Sequence, residues 1–388
     1  MSSPFVVLLG AGASVPAGKP TIDQLTSGFL EYLNQSKDQG LIEAYKFVER
    51  VFMEQERRFD VELALQALTE LTEKPATTIQ YFHGDMLEEA RKHTSSFPII
   101  KSQLKSYIRR ECEDPGDFSY LKPLPPGFMD NKAGLDIFTL NYDPTIEALC
   151  DSEHISLTDG FDPSWNPSLF DGEGFSVRLY KIHGSVYWFL RSPGSYVKVP
   201  VKGNLKGIRY FTGEELSEMV LYPAFEKKTD SGPYPFILNK FREKLGSTRL
   251  LISVGYSFRD RNIRNLIIEQ MRSNPDLWLS LASPRASAHK EDVCKEAPEL
   301  ALRIVSLDQD AKTSITRRRL RESVQALANA RVAEEGARAN QARFSNIQEF
   351  EWSQCLRTYK DLQHYPKMKE IGREILLNEN ITRPEFHG

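Results

Sequence analysis

Four short stretches of this chain hold residue types that could do chemistry together. Gly10-Ala11-Gly12-Ala13-Ser14 follows the apolar run Phe5–Leu9. Glycines placed after a strand permit a tight turn and close backbone approach to a phosphate. Asn141 and Asp143 follow a second run, in Thr139-Leu140-Asn141-Tyr142-Asp143. A neutral Asn amide can orient water or a ribose hydroxyl without competing as a nucleophile. His183, before Gly184, closes a third run. An imidazole that titrates near neutrality can take a proton from a hydroxyl or water, typically worth about 10²–10⁴-fold in rate. Gly255-Tyr256-Ser257-Phe258-Arg259-Asp260 closes a fourth and offers N–H groups and a hydroxyl to an anionic or ribose group. Singly, each stretch also has a plain structural use: a strand-to-loop turn, an Asx turn or helix cap, a satisfied core histidine.

The elements that must position these residues read as α/β. Phe5–Leu9, Asp136–Leu140, Val177–Ile182, Arg249–Val254, Leu277–Leu281 and Leu302–Leu307 are short apolar runs separated by helical patterns. Such runs predict a Rossmann-like parallel sheet with helices on both faces. All four chemical stretches then fall at C-terminal strand ends, the edge where open α/β sheets bind ligands. Thr21 and Gln24 form a capping box, followed by Leu25, Phe29 and Leu33 on one face. Asp143-Pro144 predicts a second helix with proline in its first position, and Ile263, Leu266, Ile267 and Met271 a third. Val15 stands where a GxGxxG fingerprint wants its third glycine, so Val15 to Pro20 is expected to form a loop rather than a helix start.

Residues 41–112 have a helical pattern too long for one crossover, and predict a helical insertion capping the sheet edge. Residues 113–135 read as a surface loop. Residues 184–246 are rich in Gly, Pro and aromatics with little helical period, and predict a cover of short strands. The composition shifts at about residue 311 toward Ala, Arg and Glu, with Leu320, Val324 and Leu327 on one face. A helical C-terminal extension over 311–388 is expected, docked on the body or on another subunit. Its Arg317–Arg319 run has no interleaved aromatics and reads as a solvated helix face.

Composition limits the partners. The chain has 388 residues, 40% of them apolar and 27% charged, with a formal net charge of −3. No global basic field draws in nucleic acid or an acidic membrane, and no window approaches the roughly 20 apolar residues of a membrane span. Cys112, Cys150, Cys294 and Cys355 lie far apart without a CxxC pair, which suits packing thiols in a reducing cytoplasm.

Glycine turn, NxD, HG and GxS, in that order and each at a strand end, resemble the Sir2 superfamily over residues 5 to about 310. In sirtuins the corresponding stretches read GAGxS…GxP, TQNxD, HG and GTS. Phe59–Leu65 (FDVELAL) looks like a helix common in bacterial SIR2-like domains. The resemblance implies an NAD-binding domain over residues 1–310 that breaks the bond to nicotinamide. By likeness, Gly10, Ala11, Gly12 and Ser14 would wrap the pyrophosphate, and Gly18 and Pro20 would belong to a mobile cofactor loop. Asn141 would position the nicotinamide ribose or a water, Asp143 would hold the nicotinamide side, and His183 would be the general base. Gly255, Ser257 and Asp260 would line the adenosine half.

The departures from the family matter as much. Deacylating sirtuins carry a CxxC…CxxC zinc module after the HG, whereas no cysteine stands between His183 and Gly255 here, and TQN is TLN. Zinc is therefore not expected, and water becomes the acceptor. The resemblance then implies an NAD⁺ glycohydrolase giving nicotinamide and ADP-ribose, as in bacterial SIR2-like anti-phage proteins that deplete NAD⁺. A zinc-free deacylase or ADP-ribosyltransferase, and a non-catalytic NAD- or ADP-ribose-binding module, are the alternatives. The helical tail resembles the SIR2 subunit encoded beside a HerA-type ATPase. It implies a homo-oligomer with that partner, no membrane contact, and nucleic acid contacted only through the partner.

Overall fold

The computed structural model describes residues 5–80, 82–124, 134–192, 195–199, 217–220 and 232–315. Its strands in chain order are β1 (Phe5–Leu9), β2 (Leu135–Thr139), β3 (Leu157–Thr158), β4 (Phe161–Asp162), β5 (Ser164–Trp165), β6 (Val177–Lys181), β7 (Gly184–Ser192), β8 (Ser195–Lys198), β9 (Ser217–Val220), β10 (Leu250–Val254), β11 (Trp278–Ser283) and β12 (Ile304–Asp308). Seven of them form one sheet in the order β12-β11-β10-β1-β2-β6-β3, every neighbouring pair parallel. Alternation along β1 explains the two covered faces. Val6 and Leu8 enter one apolar core with Phe138, Leu251 and Leu279; Phe5, Val7 and Leu9 enter another with Ile137 and Leu179. This is the Rossmann-like α/β architecture that the apolar runs predict. β12 begins at Ile304 rather than Leu302, because Pro298–Arg303 winds into a 3₁₀ turn with proline in its first position.

The helices are α1 (Ala11–Ser14), α2 (Ile22–Ser36), α3 (Gln39–Glu54), α4 (Val61–Glu73), α5 (Pro75–Ile79), α6 (Gly84–Lys92), α7 (Ser96–Cys112), α8 (Thr145–Ser152), α9 (Pro233–Ser247), α10 (Arg261–Ser273), α11 (Ala286–Glu296) and α12 (Ala311–Ile315). Both halves of the Thr21–Gln24 capping box form at the start of α2. Pro144 sits at the N-cap of α8 rather than at its first position, and Asp143 Oδ1 accepts from the Thr145 N–H. Helices α2 to α7 enclose a third apolar core that includes Phe29, Tyr45, Phe47, Leu65 and Leu104. Tyr142, just after β2, and Val186, early in β7, belong to that same core. The helical layer thus rests on the chemical edge of the sheet.

Two expectations are corrected. Residues 233–247 form a helix, not part of a strand-only cover. Pro233 and Pro235 fall in its first turn, where a missing N–H removes no intrahelical bond, and Tyr234, Ile237, Phe241 and Leu245 make one buried face. The density of Gly and Pro before it hides that period. The remaining cover is a five-stranded sheet, β4-β5-β8-β7-β9, whose paired strands run antiparallel. The loop from Val15 to Pro20 is itself partly helical: Val15–Ala17 makes a 3₁₀ turn that Gly18 ends at φ 81°.

After β12, Ala311 and Ile315 of α12 pack with Ala13 and Ala17 beside the glycine turn. The Leu320 face, the Arg317–Arg319 run and Cys355 lie outside the described residues. Cys112 and Cys150 are buried, and burial pushes each thiol up to about 12, which leaves them protonated and unreactive. Among the described residues no helix is long and apolar enough to cross a membrane, and no group of three or more His, Cys, Asp or Glu is placed to hold a metal ion.

Candidate functional site

The chain changes direction at β1: β2 and β6 lie to one side, β10 and β11 to the other. The crevice at such a switch point is the binding edge of an open α/β sheet. Gly10–Ser14 leaves β1 there, Asn141–Asp143 follows β2, His183 follows β6, and Gly255–Asp260 follows β10. Gly18 and Pro20 lie on the segment that links the glycine turn to α2.

The glycines hold the crevice together by close backbone packing. Gly10 N–H donates to the Val254 carbonyl and Gly12 N–H to the Gly255 carbonyl, each at 2.9 Å. A Cβ on Gly10 would lie 2.6 Å from Gly255 O, and one on Gly255 would lie 2.1 Å from Ala13 N. Gly255 also has φ 67°. The amides of Gly10 and Gly12, expected to wrap a pyrophosphate, are therefore already spent on the neighbouring loop. Ala11 and the Ser14 hydroxyl are what this turn has left to offer a phosphate. Gly255→Ala should cost at least about 2 kcal/mol from strained φ and overlap. A denaturation midpoint equal to that of the wild type would contradict it.

Asn141 is buried, and its side-chain N–H₂ donates to the Gly10 carbonyl at 3.0 Å and to Ser14 Oγ at 2.9 Å. Its main-chain N–H donates to Thr139 Oγ1 at 3.0 Å. Because a carbonyl only accepts, the contact to Gly10 fixes which terminal atom is the nitrogen. Asn141 Oδ1 is buried and has no partner among the described residues. A buried, unpaired acceptor beside a cavity is suited to a donor from outside the chain, such as a water or a sugar hydroxyl. Ser14, Asn141 and Asp143 line the same small cavity.

Asp143 is spent in part on capping α8, and its carbonyl accepts from Lys181 Nζ at 2.6 Å. Lys181 is fully buried at the end of β6 and also pairs with Glu147 at 3.0 Å. This lysine ties the segment after β2 to the strand that delivers His183. Lys181→Met should cost about 3–5 kcal/mol, because it leaves the Glu147 carboxylate without its cation in a partly buried place. Stability within 1 kcal/mol of wild type by chemical denaturation would refute that role.

His183 is buried, with Nε2 3.0 Å from Asp260 Oδ2. Asp260 also caps α10, its Oδ1 accepting from the N–H of Asn262 at 2.9 Å and of Ile263 at 3.3 Å. Burial pushes the Asp260 carboxyl up, but the hydrogen bond and charge of His183 and the two amides outweigh it, leaving it below the ordinary carboxylate range. An ionised Asp260 accepts, so it fixes the imidazole proton on Nε2 and makes Nδ1 the basic nitrogen. Asp260, expected to line the adenosine half, pairs with His183. An Asp just before an apolar helical face is also the residue type that caps a helix, which is the second use Asp260 has here. Between Gly255 and Asp260 the buried Phe258 adopts a left-handed φ of 57°, and Ser257 sits half-buried in the same turn.

Two further side chains reach the site without having been singled out from sequence. The hydroxyl of Tyr142 donates to Glu62 Oε1, and the Tyr142 ring lies 6.3 Å from that of His183. Glu62 stands in the first turn of α4, after the N-cap Asp60. An Asp-x-Glu before an apolar run is the sequence signal that marks such a helix start.

Among solved structures, a crystal structure of a Sir2 homologue in complex with NAD shares 12% identity, covering 83% of this chain and 90% of that one, with a TM-score of 0.41. A structure concerned with sirtuin substrate affinity shares 12% identity, covering 82% of this chain and 93% of that one, with a TM-score of 0.40. No curated protein matches the chain. The family model of the SIR2-like domain matches residues 136–303, the stretch that runs from β2 through His183 and Asp260 to the edge of β12. Over those residues the chain is similar to the SIR2-like domain of the Sir2 superfamily.

Proposed function

We propose that the chain is an NAD⁺ glycohydrolase that cleaves NAD⁺ to nicotinamide and ADP-ribose. One observation carries the reading: the unpaired acceptor of Asn141 and the His183–Asp260 pair stand on one sheet edge, beside a glycine turn. Ala11 and Ser14 would face the phosphates. In the reaction the bond between the ribose C1′ and the nicotinamide nitrogen breaks, and its electron pair neutralises the ring. Water adds to C1′, and its proton goes to His183 Nδ1, the nitrogen that Asp260 leaves basic. Asn141 Oδ1 accepts from the water or a ribose hydroxyl and orients it. None of these roles calls for a metal.

An enzyme that destroys NAD⁺ freely would poison its host, so this reading includes restraint. The protein acts in anti-phage defence, held in check in a homo-oligomer or by a HerA-type ATPase partner. The test is direct: the full chain, alone and with that ATPase, is incubated with NAD⁺ and nicotinamide is followed by chromatography. Release in either condition supports the reading, and intact NAD⁺ in both overturns it.

A further inference from the structure

We propose that Glu62, supplied by the helical insertion, is a positioning residue that acts on His183 by way of Tyr142, whose hydroxyl it holds and whose ring lies beside the imidazole. The inference rests on the proposed hydrolase reading for its consequence, though not for its geometry.

Glu62 is held in place from several directions. Asp60 Oδ1 accepts from the N–H of Glu62 at 3.1 Å and of Leu63 at 3.0 Å, which fixes the first turn of α4. Val61 N–H donates to Thr26 Oγ1 at 3.1 Å, which ties that turn to α2. Tyr142, between Asn141 and Asp143, donates its hydroxyl to Glu62 and lays its ring beside His183. The charged or titratable groups whose charge or hydrogen bond bears on Glu62 are His183 after β6, Asp260 at the cap of α10, Tyr142 after β2, and Asp60 on its own helix start. Among these His183 is the one that can carry positive charge.

Burial pushes the Glu62 carboxyl up, while the charge of His183 and the Tyr142 hydroxyl pull against it. Glu62 therefore ionises most readily when His183 takes up a proton. Its ionisation in the folded chain is opposed, so a neutral side chain of the same shape would fit this place at least as well. A carboxyl whose ionisation is opposed by burial, joined to the ring beside a histidine, is suited to developing charge when that histidine does. In the reaction His183 gains a proton; Asp260 meets the imidazolium by direct contact, and Glu62 stands on the hydroxyl of the Tyr142 ring beside it. Such interacting groups titrate as a set.

The test uses the full chain and the titration of His183, followed by NMR and assigned with His183→Asn. Glu62→Gln keeps an acceptor for the Tyr142 hydroxyl but cannot ionise. The His183 midpoint should fall by about half a unit to one unit. The acid limb of kcat/KM for nicotinamide release should move the same way, while the thermal midpoint stays or rises. Tyr142→Phe, which removes one of the groups favouring the Glu62 charge, should lower the His183 midpoint by less, and it serves as the second arm if Glu62→Gln fails to fold. An unchanged His183 midpoint in the variants overturns the proposal, because a merely structural Glu62 would leave it still. A shifted midpoint in a chain that releases no nicotinamide upholds Glu62 and removes the hydrolase reading instead.

Discussion

Replacing Asn141 by alanine should lower nicotinamide release by about 10³-fold or more and also loosen the fold by about 2 kcal/mol. The two effects have separate origins. The catalytic loss comes from Oδ1, the acceptor without a partner in the chain. The stability loss comes from the side-chain N–H₂, whose bonds to Gly10 O and Ser14 Oγ join the end of β2 to the glycine turn. Asn141→Asp tells them apart. An aspartate keeps an acceptor where Oδ1 stands but turns a second, charged oxygen toward the Gly10 carbonyl, which repels it and leaves only the Ser14 hydroxyl to donate there. It should be at least as destabilised as the alanine variant despite its near-identical shape. Release rates and urea midpoints of both variants read the two effects independently. An alanine variant within a few-fold of the wild-type rate would remove Asn141 from the chemistry.

What could be read from sequence follows from how local each signal is. The apolar runs gave the parallel sheet because a strand buried on both faces needs continuous hydrophobicity, and Phe5–Leu9 supplies it within five residues. The capping box of α2 was legible for the same reason: Thr21 and Gln24 are three residues apart. The helix over residues 233–247, expected as part of a short-stranded cover, escapes for an equally local reason: its prolines fall in the first turn, where they mask the helical period without breaking it.

Pairings across the sheet were less accessible. That the amides of Gly10 and Gly12 are spent on the β10 loop depends on strand order, which no short window contains. Asp260 was singled out, yet its partner is 77 residues away, and Glu62 reaches Tyr142 across 80. Residue type at a strand end announces that chemistry is available. Which groups meet is decided by the strand order and by what the insertion lays over the edge.

Asp260→Asn is the second large effect, because one atom changes and the geometry can persist. Asn is as good an N-cap as Asp, so Oδ1 can still accept from Asn262 and Ile263 and α10 should keep its start. The change falls on His183. An amide N–H₂ facing Nε2 now donates, so Nε2 gives up its proton and Nδ1 must carry it. The basic nitrogen then points the wrong way, and nicotinamide release should fall by about 10²–10⁴-fold. The pH dependence of stability should change as well, with a sign that can be worked out. Asp260 lies below the ordinary carboxylate range in the folded chain, so its charge adds stability above the unfolded value of about 4. That contribution is lost as pH falls through the lower folded value, and Asp260→Asn should show a shallower loss of stability below about pH 4. Urea midpoints across that range, set beside release rates at neutral pH, separate the two roles. A variant with wild-type turnover and unchanged acid sensitivity would reduce Asp260 to a helix cap.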